Sequence, residues 1–455
     1  MHFHILSFEG PDSHARVGGL ATRVEGLARA LQAHADETHL WFVGDPDSPG
    51  HEKRDGVHYH RWCQWLSRAR PGNLYDDEPA KVEEYGASLP PYVLGRHLLP
   101  HLLSGGRAVV LAEEWHTVGA VLSLDTLLRR AGVRDRVSLL WNANNTFGFE
   151  GIDWRRLAAA ATITTVSRYM RHRMQLVWGV DALAIPNGLD ADAFLPPDPV
   201  ALERLRRGLR DRMAVVKMAR WDPDKRWLAS VRLVAELKRR GFKPLWIARG
   251  GSEPHGAEVL QAMREAGLHV VDRFARGQSV SELVEVLSDV DRVDVVSLRS
   301  HVGPEARRVL LRAGDVVLAN SEHEPFGLVG LETMAVGGLA CTGCTGEDYA
   351  VPGQNALVLQ TAEPAEFIGL YARLESDPDH LESVRAAARQ TAERFAWPEV
   401  VRRNLLPRVE LARADDRGEL ARFATTARSR PRASRSHEGQ IRGWRPAMAA
   451  LGGTQ

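Results

Sequence analysis

Short apolar runs alternate with amphipathic stretches over residues 1 to about 185, the rhythm of parallel βαβ units. Strands are predicted at Phe3–Phe8, Glu37–Val43, Ala108–Ala112, Val137–Asn142 and Thr162–Val166. Leu20–His34 carries apolar residues at helical spacing after the Gly18-Gly19 turn. Ser167 is placed to cap a helix over Arg168–Trp178. Ile185-Pro-Asn-Gly-Leu-Asp190 is turn chemistry, and Pro196-Pro197-Asp198-Pro199 reads as a linker. A second series starts near Met213, with strands predicted at Ala214–Met218, Leu245–Ala248, Leu268–Val271, Val316–Ala319, Leu339–Cys341 and Ala356–Leu359. Helical patterns at Ala229–Arg240 and Glu258–Ala266 lie between them. The chain is therefore expected to be α/β, with two open sheets meeting at their carboxyl edges, where such sheets bind ligands.

The 455 residues exceed what one core accommodates. The expected divisions are a first domain over 1–195, a linker over 196–212 and a second domain over 213–396. A closing helix over 397–414 packs back, and a basic tail runs over 415–455. From Ala421 onward seven arginines, Arg422 to Arg445, face the single acid Glu438, which reads as disorder. Contact with an anionic membrane or polymer is the alternative there. Net charge is only +1, so nucleic acid is not expected as a partner. Three cysteines are too few for a disulfide framework and fit a reducing cytosol. Met1–Phe8 lacks the basic start and cleavage site of a signal peptide, and no apolar run approaches about 20 residues. A cytoplasmic protein is expected, with peripheral membrane contact through Arg168–Arg173 and the tail left open.

The most informative string is Ser321-Glu-His-Glu-Pro-Phe-Gly-Leu-Val-Gly-Leu-Glu332. Glu324 and Glu332 flank a glycine-bearing turn that opens an apolar helix, so backbone N–H groups and a positive dipole end face whatever docks there. Either acid alone would read as a solvated side chain or a dipole complement. Together they suit a ligand with an anionic centre and hydroxyl-rich ends, which is the shape of a nucleotide sugar. Arg220 and Lys225, across an Asp-Pro-Asp turn, can converge on one diphosphate. On spacing alone they are equally well two surface bases. Tandem Gly18 and Gly19 let a phosphate approach a helix end, although a plain turn explains them too.

These strings resemble the family-4 retaining glycosyltransferases, close to bacterial glycogen synthases, over most of residues 1–412. "E-P-F-G-L-V-x-L-E" is joined by Arg16-Val-Gly-Gly-Leu20, Thr165-Val-Ser167, Pro186-Asn-Gly-Leu-Asp190 and Phe395-Ala-Trp397. The resemblance implies the GT-B architecture: two Rossmann-like domains, acceptor side first and nucleotide-sugar side second, with no metal ion and no cofactor. It implies that Glu332 holds the ribose, that Glu324 holds the sugar, and that the amides of Phe326, Gly327 and Leu328 touch sugar and phosphates. Arg220 and Lys225 then stabilise the leaving diphosphate, and Arg16, Gly18 and Gly19 belong to the donor loop. His116, in Glu113-Glu-Trp-His116, matches a "D-W-H" string and either binds hydroxyls or is structural. Many relatives place a histidine after the strand ending near residue 142, where this chain carries Asn142, Asn144 and Asn145 as sugar or acceptor contacts. Cys341 and Cys344 read as buried small residues rather than a metal pair. Tyr59, Trp62, Trp65, Tyr75 and Tyr85, in a loop-like region with Arg61, Arg68 and Arg70, fit an acceptor surface or ordinary packing.

The implied reaction is transfer of a hexosyl group, glucose foremost, from a nucleoside-diphosphate sugar to a hydroxyl of a glucan, oligosaccharide, lipid-linked carbohydrate or envelope glycan. A nucleotide-sugar hydrolase or epimerase, or a non-catalytic sensor, are the alternatives.

Overall fold

The computed structural model describes residues 1–410 except Arg210, Arg276, Asp289 and Asp291. The expected tail over 415–455, and the end of the closing helix, lie outside the described residues.

Two sheets organise the chain. The first has eight strands in the order β3-β4-β2-β1-β5-β6-β7-β8. These are β1 His2–Leu6, β2 Glu37–Val43, β3 His51–Arg54, β4 Val57–Trp62, β5 Ala108–Glu113, β6 Val137–Ala143, β7 Thr162–Thr165 and β8 Leu183–Ala184. Among the described residues only the β3–β4 edge pair is antiparallel. The second sheet has seven strands in the order β11-β12-β10-β9-β13-β14-β15, all parallel. They are β9 Met213–Met218, β10 Pro244–Arg249, β11 Val270–Arg273, β12 Val295–Leu298, β13 Val316–Ala319, β14 Ala340–Thr342 and β15 Leu357–Val358. Central strands β5, β6 and β9 are buried along their whole length, because helices cover both faces of a parallel sheet.

The stretch expected as a linker contains a helix, Pro199–Gly208. Asp198 caps it, accepting from the Val200 and Ala201 amides at 2.8 and 3.1 Å. Its Ala201 and Leu205 join Val216, Ile247 and Val309 in a core on one face of the second sheet. The chain finally returns to the first sheet. Leu189 and Trp397 bond backbone to backbone at 3.0 Å, and Trp397 is 2% exposed. A Cβ on Gly188 would lie 2.4 Å from the Trp397 ring, and one on Gly26 2.1 Å from its Nε1. The glycine of the Pro-Asn-Gly string therefore clears space for this indole.

The region over 59–85 is not loop-like. Tyr59 and Trp62 lie on β4, Trp65 on helix Gln64–Ala69, and Tyr85 on helix Glu78–Val93. Tyr59 and Tyr85 are buried core residues, which leaves Tyr75 as the aromatic of this group that reaches the cleft described below. Strand β4 escaped the apolar pattern because its alternating residues include His58, His60 and Arg61. Cys341 is buried as expected, whereas Cys344 is exposed. Among the described residues no helix is long and apolar enough to cross a membrane.

Candidate functional site

Between the carboxyl ends of the two sheets lies a cleft of about 870 Å³. Its second-sheet wall is built by the turns after β9 and β13. Ala319 ends β13, and the helix Leu328–Ala335 begins after Gly327 at φ +83°. A side chain at 327 would be strained there and would also meet Glu347 Cγ at 2.9 Å and Tyr349 Oη at 3.0 Å. Residues 345–349 clamp this turn. The Thr345 hydroxyl accepts from the Glu324 amide at 3.0 Å, the Gly346 amide donates to the Glu324 carbonyl at 2.8 Å, and the Tyr349 hydroxyl donates to the Gly327 carbonyl. Among the described residues no side chain caps the first turn of Leu328–Ala335, and its positive end lines the cleft.

Glu324 and Lys225, 99 residues apart, meet at 2.7 Å with about four-fifths of each side chain buried. Lys225 ends the short turn Pro223–Lys225, fixed by Asp222 accepting from the Asp224 amide at 2.9 Å. Arg220 is anchored through its carbonyl, which accepts from Trp227 Nε1 at 2.7 Å, and it lines the same cleft. Beneath them Lys217, next to the carboxyl end of β9, donates to Asn320 Oδ1 at 2.8 Å. Burial pulls its ammonium from 10.5 to about 7. Sequence reasoning passed over Lys217. The available signal was a lysine inside an otherwise apolar parallel strand.

The first-sheet wall carries His116, Asn144, Asn145, Gly18 and Gly19. His116 stacks on Phe8 at 4.4 Å, and its Nε2 faces Glu78 Oε1 at 2.8 Å. An ionised Glu78 fixes the proton on Nε2, leaving a lone pair on Nδ1, which has no hydrogen-bond partner among the described residues. Burial lowers the His116 pKa, and Glu78 opposes that shift. The Gly18 amide meets an acid of the chain itself. Glu9 Oε2 already accepts from the Gly18 and Ala21 amides at 3.0 and 3.2 Å, because a carboxylate satisfies a positive helix end. Glu9 also accepts from the Tyr75 hydroxyl at 2.6 Å and lines the cleft, a residue the sequence reading missed.

Three predicted site residues do not line the cleft. Arg16 is drawn to Glu25 on the helix Gly19–Leu31. Asn142 is 4% exposed and spans Glu113 Oε2 at 2.8 Å and the Thr164 hydroxyl at 2.9 Å. Glu332, one turn into its helix, pairs with Arg307, and burial raises its carboxyl pKa against that cation. The basic helix is partly neutralised as well, since Arg168 pairs with Asp348 at 3.2 Å and Arg171 with Asp181 at 2.9 Å.

Glu114 sits at the cleft with φ +67°, a costly backbone for a non-glycine residue. Burial pushes its carboxyl from 4.5 to about 8, despite the Asn144 amide donating at 2.7 Å. A raised acid pKa means the folded state holds a proton that the unfolded chain releases between those values. Stability from this group is complete below about pH 4.5 and is lost as pH rises to about 8, at up to about 1.4 kcal/mol per pH unit. Glu114→Gln is expected to remove that slope, measured by urea unfolding at pH 5, 6.5 and 8. An unchanged slope would show that Glu114 ionises normally.

No family model matches the chain. It is similar to the GDP-mannose-dependent alpha-(1-6)-phosphatidylinositol monomannoside mannosyltransferase of Mycolicibacterium smegmatis, at 36% identity over 248 residues. That match covers 48% of this chain and 62% of the relative. A D-inositol 3-phosphate glycosyltransferase of Kineococcus radiotolerans is 25% identical over 84% of this chain and 87% of its own. The chain spans 45% and 51% of two further relatives of that name, about half their length. Among solved structures, sucrose-phosphate synthase from Thermosynechococcus elongatus superposes with a TM-score of 0.60 at 17% identity, covering 94% of this chain and 99% of that one. By these comparisons the chain has the GT-B fold and is similar in sequence to glycosyltransferases.

Proposed function

We propose that this protein is a retaining glycosyltransferase moving a hexosyl group from a nucleoside-diphosphate sugar to an acceptor hydroxyl. The observation that carries this reading is the meeting of Arg220, the Lys225–Glu324 pair and the uncapped helix start at Gly327 on one wall of the cleft, opposite His116 and Asn144–Asn145. A diphosphate set between Arg220, Lys225 and those amides has its leaving charge neutralised by the protein itself, without requiring a metal ion. Glu324, oriented by Lys225, is placed to hold sugar hydroxyls. The lone pair of His116 Nδ1 can accept from another hydroxyl of sugar or acceptor. The leaving phosphate oxygen then takes the acceptor proton on the same face.

The resemblance favours a glucosyl donor, while the relatives point to GDP-mannose and to inositol-bearing acceptors. A thermal-shift panel of ADP-, UDP- and GDP-sugars separates these, because a ligand of the folded state raises the melting temperature. Peripheral membrane contact belongs to the same proposal, through the basic segment Arg168–Arg173 and the tail, and anionic vesicle flotation tests it. For Glu332 the proposed role is the ribose, which requires the Arg307 pair to open or to share its carboxylate. Glu332→Ala is expected to weaken nucleoside-diphosphate binding about tenfold or more, since a hydrogen bond to a charged group contributes about 1.5–3 kcal/mol. Wild-type affinity in that variant, measured by calorimetry, would remove Glu332 from the site.

A further inference from the structure

Far from the cleft, the first sheet carries a cluster of histidines on one face. Alternation along the strands places His2 and His4 of β1, His39 of β2 and His58 and His60 of β4 on a common side. The register sets His39 beside His58, and His60 beside His51 of the edge strand. Trp41 stacks on His60 at 3.6 Å, and the π-turn Leu94–Leu98 covers the group with His97, 5.0 Å from His39. A π-turn inside a helix often marks a functional position. His39 is the third residue of β2, so the cluster lies toward the amino ends of the strands, whereas the cleft lies at their carboxyl ends.

We propose that His39, His58 and His60 bind a divalent transition-metal ion of the zinc type. One ring nitrogen from each lies within 4.8 Å of the others. His39 Nδ1 and His60 Nε2 are 3.0 Å apart, close to the roughly 3.3 Å edge of a tetrahedron with metal–nitrogen bonds of about 2.0–2.1 Å. The outer nitrogens are held in the way metal ligands require. Glu37 Oε2 lies 3.1 Å from His39 Nε2, which fixes a proton there and leaves the Nδ1 lone pair pointing inward. His51 Nε2 lies 3.1 Å from His58 Nδ1, while His58 Nε2 is buried without a partner among the described residues. His4 is excluded as a ligand. Its Nδ1 accepts from Trp41 Nε1 at 3.3 Å, so its other nitrogen carries the proton.

With its Nε2 proton held by Glu37 and its Nδ1 accepting from His60 Nε2, the His39 ring is neutral, the form that coordinates metal. On metal binding the proton on His60 Nε2 moves to Nδ1, which frees the inner lone pair. Three protein nitrogens leave one tetrahedral position for water. Such an ion would tie β4 to β2 and so hold the edge of the first sheet.

The test uses the untagged full chain, stripped with a chelator and titrated with zinc sulfate and, separately, with cobalt(II) chloride. One equivalent is expected to bind, with a rise in melting temperature and the visible absorption of nitrogen-ligated tetrahedral cobalt. His58→Ala is expected to weaken zinc binding more than about tenfold, and Glu37→Gln by about 10–100-fold. His172→Ala, on a separate exposed position, leaves binding unchanged. Circular dichroism checks that each variant is folded, and Glu37→Gln carries the test if His58→Ala is not. Folded wild type that takes up no zinc overturns the proposal, as does binding that survives both substitutions.

Discussion

Lys225→Ala is expected to lower kcat by about two to three orders of magnitude, with the larger part of the loss in kcat rather than KM. In the proposed reaction the bond to the leaving diphosphate breaks as negative charge builds on its oxygens. A cation fixed before the reaction stabilises that charge more than it stabilises bound donor, and it does so in a cleft walled by protein. Lys225 is fixed in this sense by the 2.7 Å contact with Glu324 and by its place at the end of a capped turn. The substitution also frees Glu324, so the sugar's hydroxyls lose their oriented acceptor at the same time. Lys225→Arg should restore little, since a planar guanidinium does not reproduce a point charge at the Glu324 oxygen. Steady-state kinetics with the donor identified by thermal shift checks this. A rise in KM with kcat preserved would assign Lys225 to ground-state binding alone.

The second large effect concerns stability. Arg23→Met is expected to destabilise the protein by about 3–5 kcal/mol, as when one partner of a buried ion pair is removed. Arg23 and Glu113 have side chains 3% and 1% exposed, and Arg23 Nε lies 3.0 and 3.1 Å from the two carboxylate oxygens. Arg23 Nη1 also donates to Asn187 Oδ1 at 2.7 Å, and the amides of Asn142 and Asn144 both donate to Glu113 at 2.8 Å. This network joins the helix Gly19–Leu31, β5, β6 and the Pro-Asn-Gly turn beneath the cleft. Without Arg23 the Glu113 carboxylate is buried with neutral donors only. The double substitution Arg23→Met/Glu113→Leu should recover much of the loss, since an apolar pair leaves no buried charge. Urea unfolding measures both. A cost below about 1 kcal/mol for Arg23→Met, the range of an exposed pair, would contradict the network.

That network explains why the asparagines were only partly legible in the sequence. Asn142, Asn144 and Asn145 stand in nearly consecutive positions at the end of β6, and hydrogen-bonding capacity alone cannot say which side of a sheet edge each one serves. The structure buries Asn142 in the Glu113 network, has Asn144 join that network while lining the cleft, and leaves Asn145 at the cleft alone. Arg16 fits a donor loop by spacing, yet an acid nine residues along, Glu25 on the following helix, attracts it first. Glu9 shows the same limit from the other direction. A lone acid in a glycine-rich loop carries no pattern until the fold brings helix amides to it.

Other features needed little beyond the chain itself. Long apolar runs such as Ala108–Ala112 and Val137–Asn142 can only be buried on both faces, so parallel strands followed directly, and the Glu-x7-Glu string fixed the turn and the helix that build one wall of the cleft. Local backbone chemistry is enough for such elements: glycine at φ +83°, proline at helix starts, and apolar residues spaced at two or at 3.6. Tertiary structure alone decided which charges meet. Lys225 finds Glu324 across 99 residues, Lys217 loses its water inside β9, and histidines from three strands come to lie on one face. The physical reason is range. Propensity and periodicity act over a few neighbouring residues, whereas desolvation and Coulomb interactions depend on distances that only the folded sheets define.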